Sequence, residues 1–227
     1  EFMQHALYAP GLGYYSAGAV KFGEAGDFVT APEVSEIFGA VLARQCAEVL
    51  ASIDNAAILE YGAGSGKLAA DLLVQLAALD QLPTHYDILE VSADLSARQQ
   101  RYLRERIPGL APLVRWVQKP PRELAGVIIA NEVLDALPVE RFLRTEEGVR
   151  QLRVTAENSG LVFVDANAPA HLQQAVQAIE QQIGMRLSNG YVSEVSLGLP
   201  GWIGDLASQL QEGVAFLWDY GVSRREY

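Results

Sequence analysis

Cysteine is nearly absent from the sequence: Cys46 is the only one in 227 residues. A single thiol excludes an internal disulfide and any cysteine-based metal cluster. It falls in a helical pattern and reads as a small buried hydrophobe, a usage that fits a reducing compartment. No apolar run is long enough to span a bilayer. No basic stretch followed by an apolar core opens the chain, so no signal peptide is expected. Basic residues are scarce, with 17 Lys and Arg against 28 Asp and Glu and a formal net charge of −11. That deficit argues against a nucleic-acid groove, which needs a basic excess. It fits a cationic partner or simple solubility. His5, His85 and His171 have no ligand spacing, and no metal site is expected. Internal repeats and low-complexity tracts are lacking too.

Half of the residues are apolar, enough for one sizeable core or a core with an appendage. The most informative stretch is Ile58-Leu-Glu60-Tyr-Gly62-Ala-Gly64-Ser-Gly66. An apolar run ends in an acid and then breaks into a turn with Gly at every second position. A helical pattern follows, marked by Leu68, Leu72, Leu73, Leu76 and Leu79. This predicts a strand, a glycine loop and a helix N-terminus, where backbone can approach a nucleotide-like ligand. The spacing is not the G-x-G-x-x-G of dinucleotide folds. Nor is it a Walker loop, since Leu68 follows Lys67 where Ser or Thr should stand. An acid followed by G-x-G-x-G resembles motif I of the class I S-adenosylmethionine (SAM) methyltransferases.

Further strands are expected at Tyr86–Glu90, Val114–Val117, Gly126–Ala130 and Val214–Tyr220, alternating with helices. That rhythm implies an α/β fold, mainly a parallel sheet with helices on both faces. After Pro138 the pattern changes to a short antiparallel meander over Arg141–Thr145, Val149–Thr155 and Leu161–Val164. A helix is expected from about Ala170 to Ile183. The whole chain, 1–227, reads as one domain of Rossmann-like type. It has an N-terminal helical and loop cap (1–52), a sheet core (56–138 and 190–221) and an inserted meander plus helix (139–184). Thr30 and Glu33 form a capping box for a helix on which Ile37, Phe38, Val41, Leu42, Cys46 and Val49 share a face. The end at Tyr227 is early for this sheet, and the natural protein is expected to continue.

Several side chains follow as candidate site residues. Gly62, Gly64 and Gly66 let backbone N–H groups face a ligand that a side chain would block. Glu60 would hold the ligand's amino group; the plain alternative is a solvated strand-end carboxylate. Glu90 ends the second strand, where an acid hydrogen-bonds ribose hydroxyls, and its plain alternative is the same. Ser92 is expected only to cap the next helix. Asn131, Glu132 and Asp135 follow the fourth strand and would surround the group being modified. Helix-dipole complementation by the two acids is the competing explanation. Asp27 sits in a loop ahead of the first long helix and would line the cofactor pocket from above. Glu194 and Asp219 are weaker candidates on the same expected edge, and Tyr14 and Tyr15 a possible aromatic wall.

Taken in order, the motifs resemble the MidA-like methyltransferase family, whose mitochondrial members assist assembly of respiratory complex I. The blocks are Ala6-Leu-Tyr-x-Pro10 with Gly13-Tyr-Tyr15, Gly26-Asp-Phe-x-Thr-x-Pro-Glu33 and Glu60-x-Gly-x-Gly-x-Gly66. Ala130-Asn-Glu-x-x-Asp-Ala-Leu-Pro-Val139 and Asp219-Tyr-Gly221 with Ser223-Arg-Arg-Glu-Tyr227 complete the set. The resemblance implies a SAM-dependent protein arginine N-methyltransferase acting on a complex I subunit or its bacterial counterpart. The location it implies is bacterial cytoplasm or mitochondrial matrix. Two other functions stay open on sequence: a small-molecule methyltransferase, and a SAM-binding assembly factor that does not catalyse. The sequence leaves the oligomeric state open.

Overall fold

A computed structural model describes residues 1–15, 30–158 and 160–221 of the chain. In chain order its elements are α1 (Phe2–Tyr8), α2 (Ala31–Val34), α3 (Glu36–Leu50), β1 (Ala57–Tyr61), α4 (Lys67–Ala78), β2 (Tyr86–Leu89) and α5 (Ala93–Arg106). There follow β3 (Val114–Val117), β4 (Leu124–Asn131), β5 (Glu140–Arg144), β6 (Val149–Glu157), β7 (Gly160–Asn167), α6 (Ala170–Ile183), β8 (Val192–Val195), α7 (Leu199–Gln209) and β9 (Leu210–Trp218). They form two compact units, one drawn from Ala6–Ala136 and Gly204–Asp219, the other built around Leu137–Ile203. No helix of the described residues is long and apolar enough to cross a membrane.

The larger unit holds a five-stranded sheet in the order β3-β2-β1-β4-β9, with every pairing parallel. Every residue of β1 is buried, as an interior parallel strand requires. The apolar stripe of α4 (Leu68, Leu72, Leu73 and Leu76) is buried in the same core. Each such leucine contributes roughly 2 kcal/mol of transfer free energy. Ala57, Gly126 and Gly213 stand side by side on β1, β4 and β9. Both glycines have φ of +134°, and a Cβ on Gly126 would lie 2.1 Å from the Ala57 carbonyl oxygen. On Gly213 it would lie 1.8 Å from the Gly126 oxygen, so neither position admits a side chain.

Several expectations for the N-terminal part are corrected. α1 was not foreseen; none of its residues is buried, so no apolar stripe announced it. Thr30 stands at the N-cap of α2, but its side chain makes no capping bond. The helix breaks at Ser35, whose Oγ accepts from the Ile37 N–H and starts α3 anew. Glu33 is engaged elsewhere, as described below. The buried face of α3 is Gly39, Leu42, Ala43, Cys46 and Leu50, while Ile37 and Val41 are 72% and 61% exposed. Small residues set this seam: a Cβ on Gly39 would lie 2.7 Å from Cβ of Asp71 on α4. A larger residue therefore could not replace Gly39.

The smaller unit holds an antiparallel sheet in the order β7-β6-β5-β8. Phe142, Leu172 and Val176 form its core with Ala168 and Leu187. Arg144 pairs with Glu180 of α6 at 2.8 Å. The segment expected to extend the parallel sheet near residue 190 belongs here instead, because β8 pairs antiparallel with β5. Its Val-Ser-Glu-Val alternates in exposure, the mark of a half-exposed antiparallel strand and not of a buried parallel one. Glu194 accordingly stands opposite Arg141 in this antiparallel sheet and belongs to no strand of the parallel one.

Candidate active site

β1, β2, β4 and β9 run parallel, so their C-terminal ends share one edge of the sheet, where open α/β folds bind ligands. Gly62, Gly64 and Gly66 follow β1 with φ of 62°, 54° and 86°. All three lie in the left-handed region, so this loop suits glycine for its conformation. Gly66 N–H donates to the Ala63 carbonyl (2.8 Å), and Gly66 is the N-cap of α4 with no side-chain cap. The Ser65 hydroxyl accepts from the Lys67 N–H (3.2 Å) and donates to Glu33. Glu33 thus ties α2 to the glycine loop, a role hidden in the sequence by its position in an apparent capping box.

Glu60 is 2% exposed, which removes the solvated alternative. It accepts a 2.8 Å hydrogen bond from the buried Tyr86 hydroxyl. Burial pushes its carboxyl up to about 7, the Tyr86 bond opposes this, and the Glu90 charge adds to it. The folded chain therefore keeps the Glu60 proton to higher pH than the unfolded chain, which releases it near 4.5. Stability from this group is fully present below about pH 4.5 and falls until about pH 7, by on the order of 3 kcal/mol. Glu60→Gln keeps an acceptor for Tyr86 but has no proton to lose. Urea midpoints between pH 5 and 8 are expected to fall in the wild type and to flatten in the variant.

Glu90 directly follows β2. Its Oε1 accepts from the Ser92 N–H (2.8 Å) and its Oε2 from Gln99 Nε2 (3.1 Å). Ser92 caps α5, its Oγ accepting from Leu95 N–H, as expected. Val91 beside them is 78% exposed, an apolar surface next to a carboxylate.

No helix follows β4, so helix-dipole complementation cannot explain Glu132 and Asp135. Asn131 ends the strand. Glu132 has φ of +50°, and its N–H donates to the Trp218 carbonyl (2.8 Å). The Asp219 carboxylate accepts from the N–H groups of Leu134 (2.7 Å) and Asp135 (3.2 Å). Asp219, rated weak from sequence, is what shapes this loop. Asp135 is exposed; partial burial, and then the Asp219 charge, raise its carboxyl above the ordinary range. The Tyr8 hydroxyl donates to the Ala136 carbonyl (2.6 Å), and Tyr8 stacks on Tyr15, which meets Tyr14 edge-on. A Cβ on Gly62 would touch the Val133 side chain at 3.5 Å, so the two loops are neighbours. The structure thus brings Glu60, the three glycines, Glu90 and Asn131–Asp135 to one edge. Asp27 lies outside the described residues. Among the described residues no three His, Cys, Asp or Glu side chains group as a metal ion would need.

A parallel α/β sheet with a left-handed glycine turn after its first strand and an acid after its second is a Rossmann-like architecture, and the G-x-G-x-G spacing of that turn is the one seen in class I methyltransferases. The chain belongs to the family described as "Putative S-adenosyl-L-methionine-dependent methyltransferase", whose model matches residues 41–227. A Burkholderia thailandensis protein crystallised with S-adenosyl-homocysteine is 40% identical with a TM-score of 0.90, covering all of this chain and 58% of that one. The zebrafish (Danio rerio) mitochondrial protein arginine methyltransferase NDUFAF7 is 31% identical over 97% of this chain and 57% of its own length. Its bovine (Bos taurus) counterpart is 34% identical over 68% of this chain and 40% of its own length. The chain thus spans about half the length of the curated relatives it matches.

Proposed function

We propose that this chain carries the cofactor-binding sheet of a SAM-dependent protein arginine N-methyltransferase. The observation that carries the reading is the run of three left-handed glycines beside Glu60, at the same edge as Glu90 and the loop after β4. The names of the relatives support arginine as the acceptor. The resemblance to the MidA-like family supports a complex I subunit, or its bacterial counterpart, as the substrate.

The residues present suit such a cofactor. The glycine loop would take its amino-acid end, with Glu60 accepting from the ammonium, whose positive charge favours the ionised carboxylate over the protonated one. Glu90 would take the ribose hydroxyls, and Val91 would offer apolar surface beside them. When bound, SAM supplies a methyl group on a sulfonium, open to in-line displacement. The chain's own tasks are then alignment and exclusion of water. An arginine acceptor arrives protonated. Glu132 and Asp135, with Asn131, would bind that cation and bias its charge toward one nitrogen, leaving another more nucleophilic. Methylation releases one proton from the guanidinium. Asp135, raised above the ordinary carboxylate range and open to solvent, suits its uptake.

Gly64→Val tests the cofactor reading. The left-handed backbone at φ of +54° costs a side-chain-bearing residue about 1–2 kcal/mol, a small part of the stability of a domain. Calorimetry is expected to show at least a hundredfold loss of SAM affinity with an unchanged circular dichroism spectrum. Equal affinity in the two proteins would refute the loop assignment.

A further inference from the structure

Gln99 on α5 is fully buried (0% exposed), an unusual place for an amide in the middle of an apolar helix face. A buried amide is costly unless its hydrogen bonds are made. Those of Gln99 are. Nε2 donates to the Gly64 carbonyl (3.0 Å) and to Glu90 Oε2 (3.1 Å), and Oε1 accepts from Trp116 Nε1 on β3 (2.9 Å). The assignment of oxygen and nitrogen is chemically forced. The carbonyl only accepts and the indole only donates. The aliphatic part of Gln99 also lies 3.5 Å from where a Cβ on Gly66 would stand. One side chain therefore bonds the middle glycine of the loop and the acid after β2, and lies beside the last glycine.

We infer that Gln99 is a positioning residue that sets the separation and orientation of the glycine loop and Glu90 as a single unit. A peptide group is planar and trans, so holding the Gly64 carbonyl toward α5 turns the Ser65 N–H the opposite way. The second Nε2 hydrogen fixes which Glu90 oxygen faces inward and leaves Oε1 to Ser92. A leucine would fill the same space and do neither. This inference rests on the cofactor reading above and adds to it a cause for the geometry of two contacts at once.

The test uses the intact chain, S-adenosyl-homocysteine as the probe, and two variants. Gln99→Met keeps the shape and removes every hydrogen bond. Gln99→Glu keeps the acceptor for Trp116 and, only when protonated, donates a single hydrogen where the amide donates two. Its carboxyl, buried beside Glu90 and with Glu60 beyond, should titrate well above the ordinary range. Affinity is compared with the wild type at each pH, which cancels any titration the proteins share. Gln99→Met is expected to bind at least tenfold more weakly at every pH. Gln99→Glu is expected to be at least tenfold weaker at pH 8 and to recover at least threefold of that loss at pH 6, where one of the two donations returns. Melting temperatures confirm that each variant is folded, and either folded variant alone decides the matter. Affinities equal to the wild type in a variant with a lowered melting temperature would make Gln99 merely structural and overturn the inference. A Gln99→Glu deficit independent of pH would do the same. A wild type that binds no S-adenosyl-homocysteine would instead overturn the cofactor reading itself.

Discussion

Gly126→Val is expected to yield a chain that does not fold. The new side chain would begin 2.1 Å from the Ala57 carbonyl oxygen and 2.8 Å from the Ala57 nitrogen, both backbone atoms of a buried strand. Neither can move without breaking the β1–β4 ladder, which pairs Ala57 through Tyr61 with Gly126 through Ala130. The same ladder carries Glu60 and ends at the glycine loop. Gly126→Ala meets the same atoms and should lose about 4 kcal/mol or more, at the extreme of single-substitution effects. Total stabilities of domains run about 5–15 kcal/mol, so the valine variant has little left. Gly190→Ala is the control. That glycine also has positive φ (+85°), yet nothing lies within 4 Å of its added Cβ. Only the backbone term, about 1–2 kcal/mol, should be lost there. Urea melts followed by circular dichroism separate the two. Similar midpoints for Gly126→Ala and Gly190→Ala would show that the sheet relaxes around the clash.

The parallel sheet was legible because its signals are local. A buried run such as Ala57–Tyr61, a Gly-x-Gly-x-Gly turn and a leucine stripe on α4 lie within one continuous stretch of chain. The strand-end positions of Glu60, Glu90 and Asn131 were legible for the same reason: in a parallel sheet, position along the strand fixes which edge a residue reaches. What escaped depended on partners distant in sequence. Val192–Val195 gave no sign of which sheet it would join, since pairing with β5 or with the parallel sheet looks the same from four residues. The buried face of α3 turned on the fit of Gly39 against Asp71. Glu33 looked complete as half of a capping box, but it receives the hydroxyl of Ser65, thirty-two residues on. Gln99 was visible only as a polar residue in an apolar helix stripe. Asp219 looked like one more strand-end acid, although it holds the backbone of Leu134 and Asp135. These contacts shape the loops between the recognised motifs.

Glu132→Gln is expected to keep SAM affinity within about threefold and to lose methyl transfer by on the order of a thousandfold, the scale at which removing one preorganised charge acts. The backbone supplies the argument. Glu132 has φ of +50°, a conformation that costs a non-glycine residue about 1–2 kcal/mol and that glycine adopts freely. Its N–H donates to Trp218, so the conformation belongs to the join between β4 and β9. Asn55, Asp80 and Glu123 share this conformation, but of the four only Glu132 lies in the loop after β4 proposed to hold the acceptor, and there strain of this kind supports the proposed role. Glu132→Gly sharpens the test. It should raise stability by about 1 kcal/mol, offset in part by the entropy that glycine adds to the unfolded chain. It should also abolish transfer to an arginine-bearing protein as completely as the glutamine variant does. Filter assays with labelled SAM and a lysate lacking this protein report transfer, and calorimetry reports cofactor binding. Full transfer in either variant would remove Glu132 from the chemistry and leave its strained backbone without a functional cause.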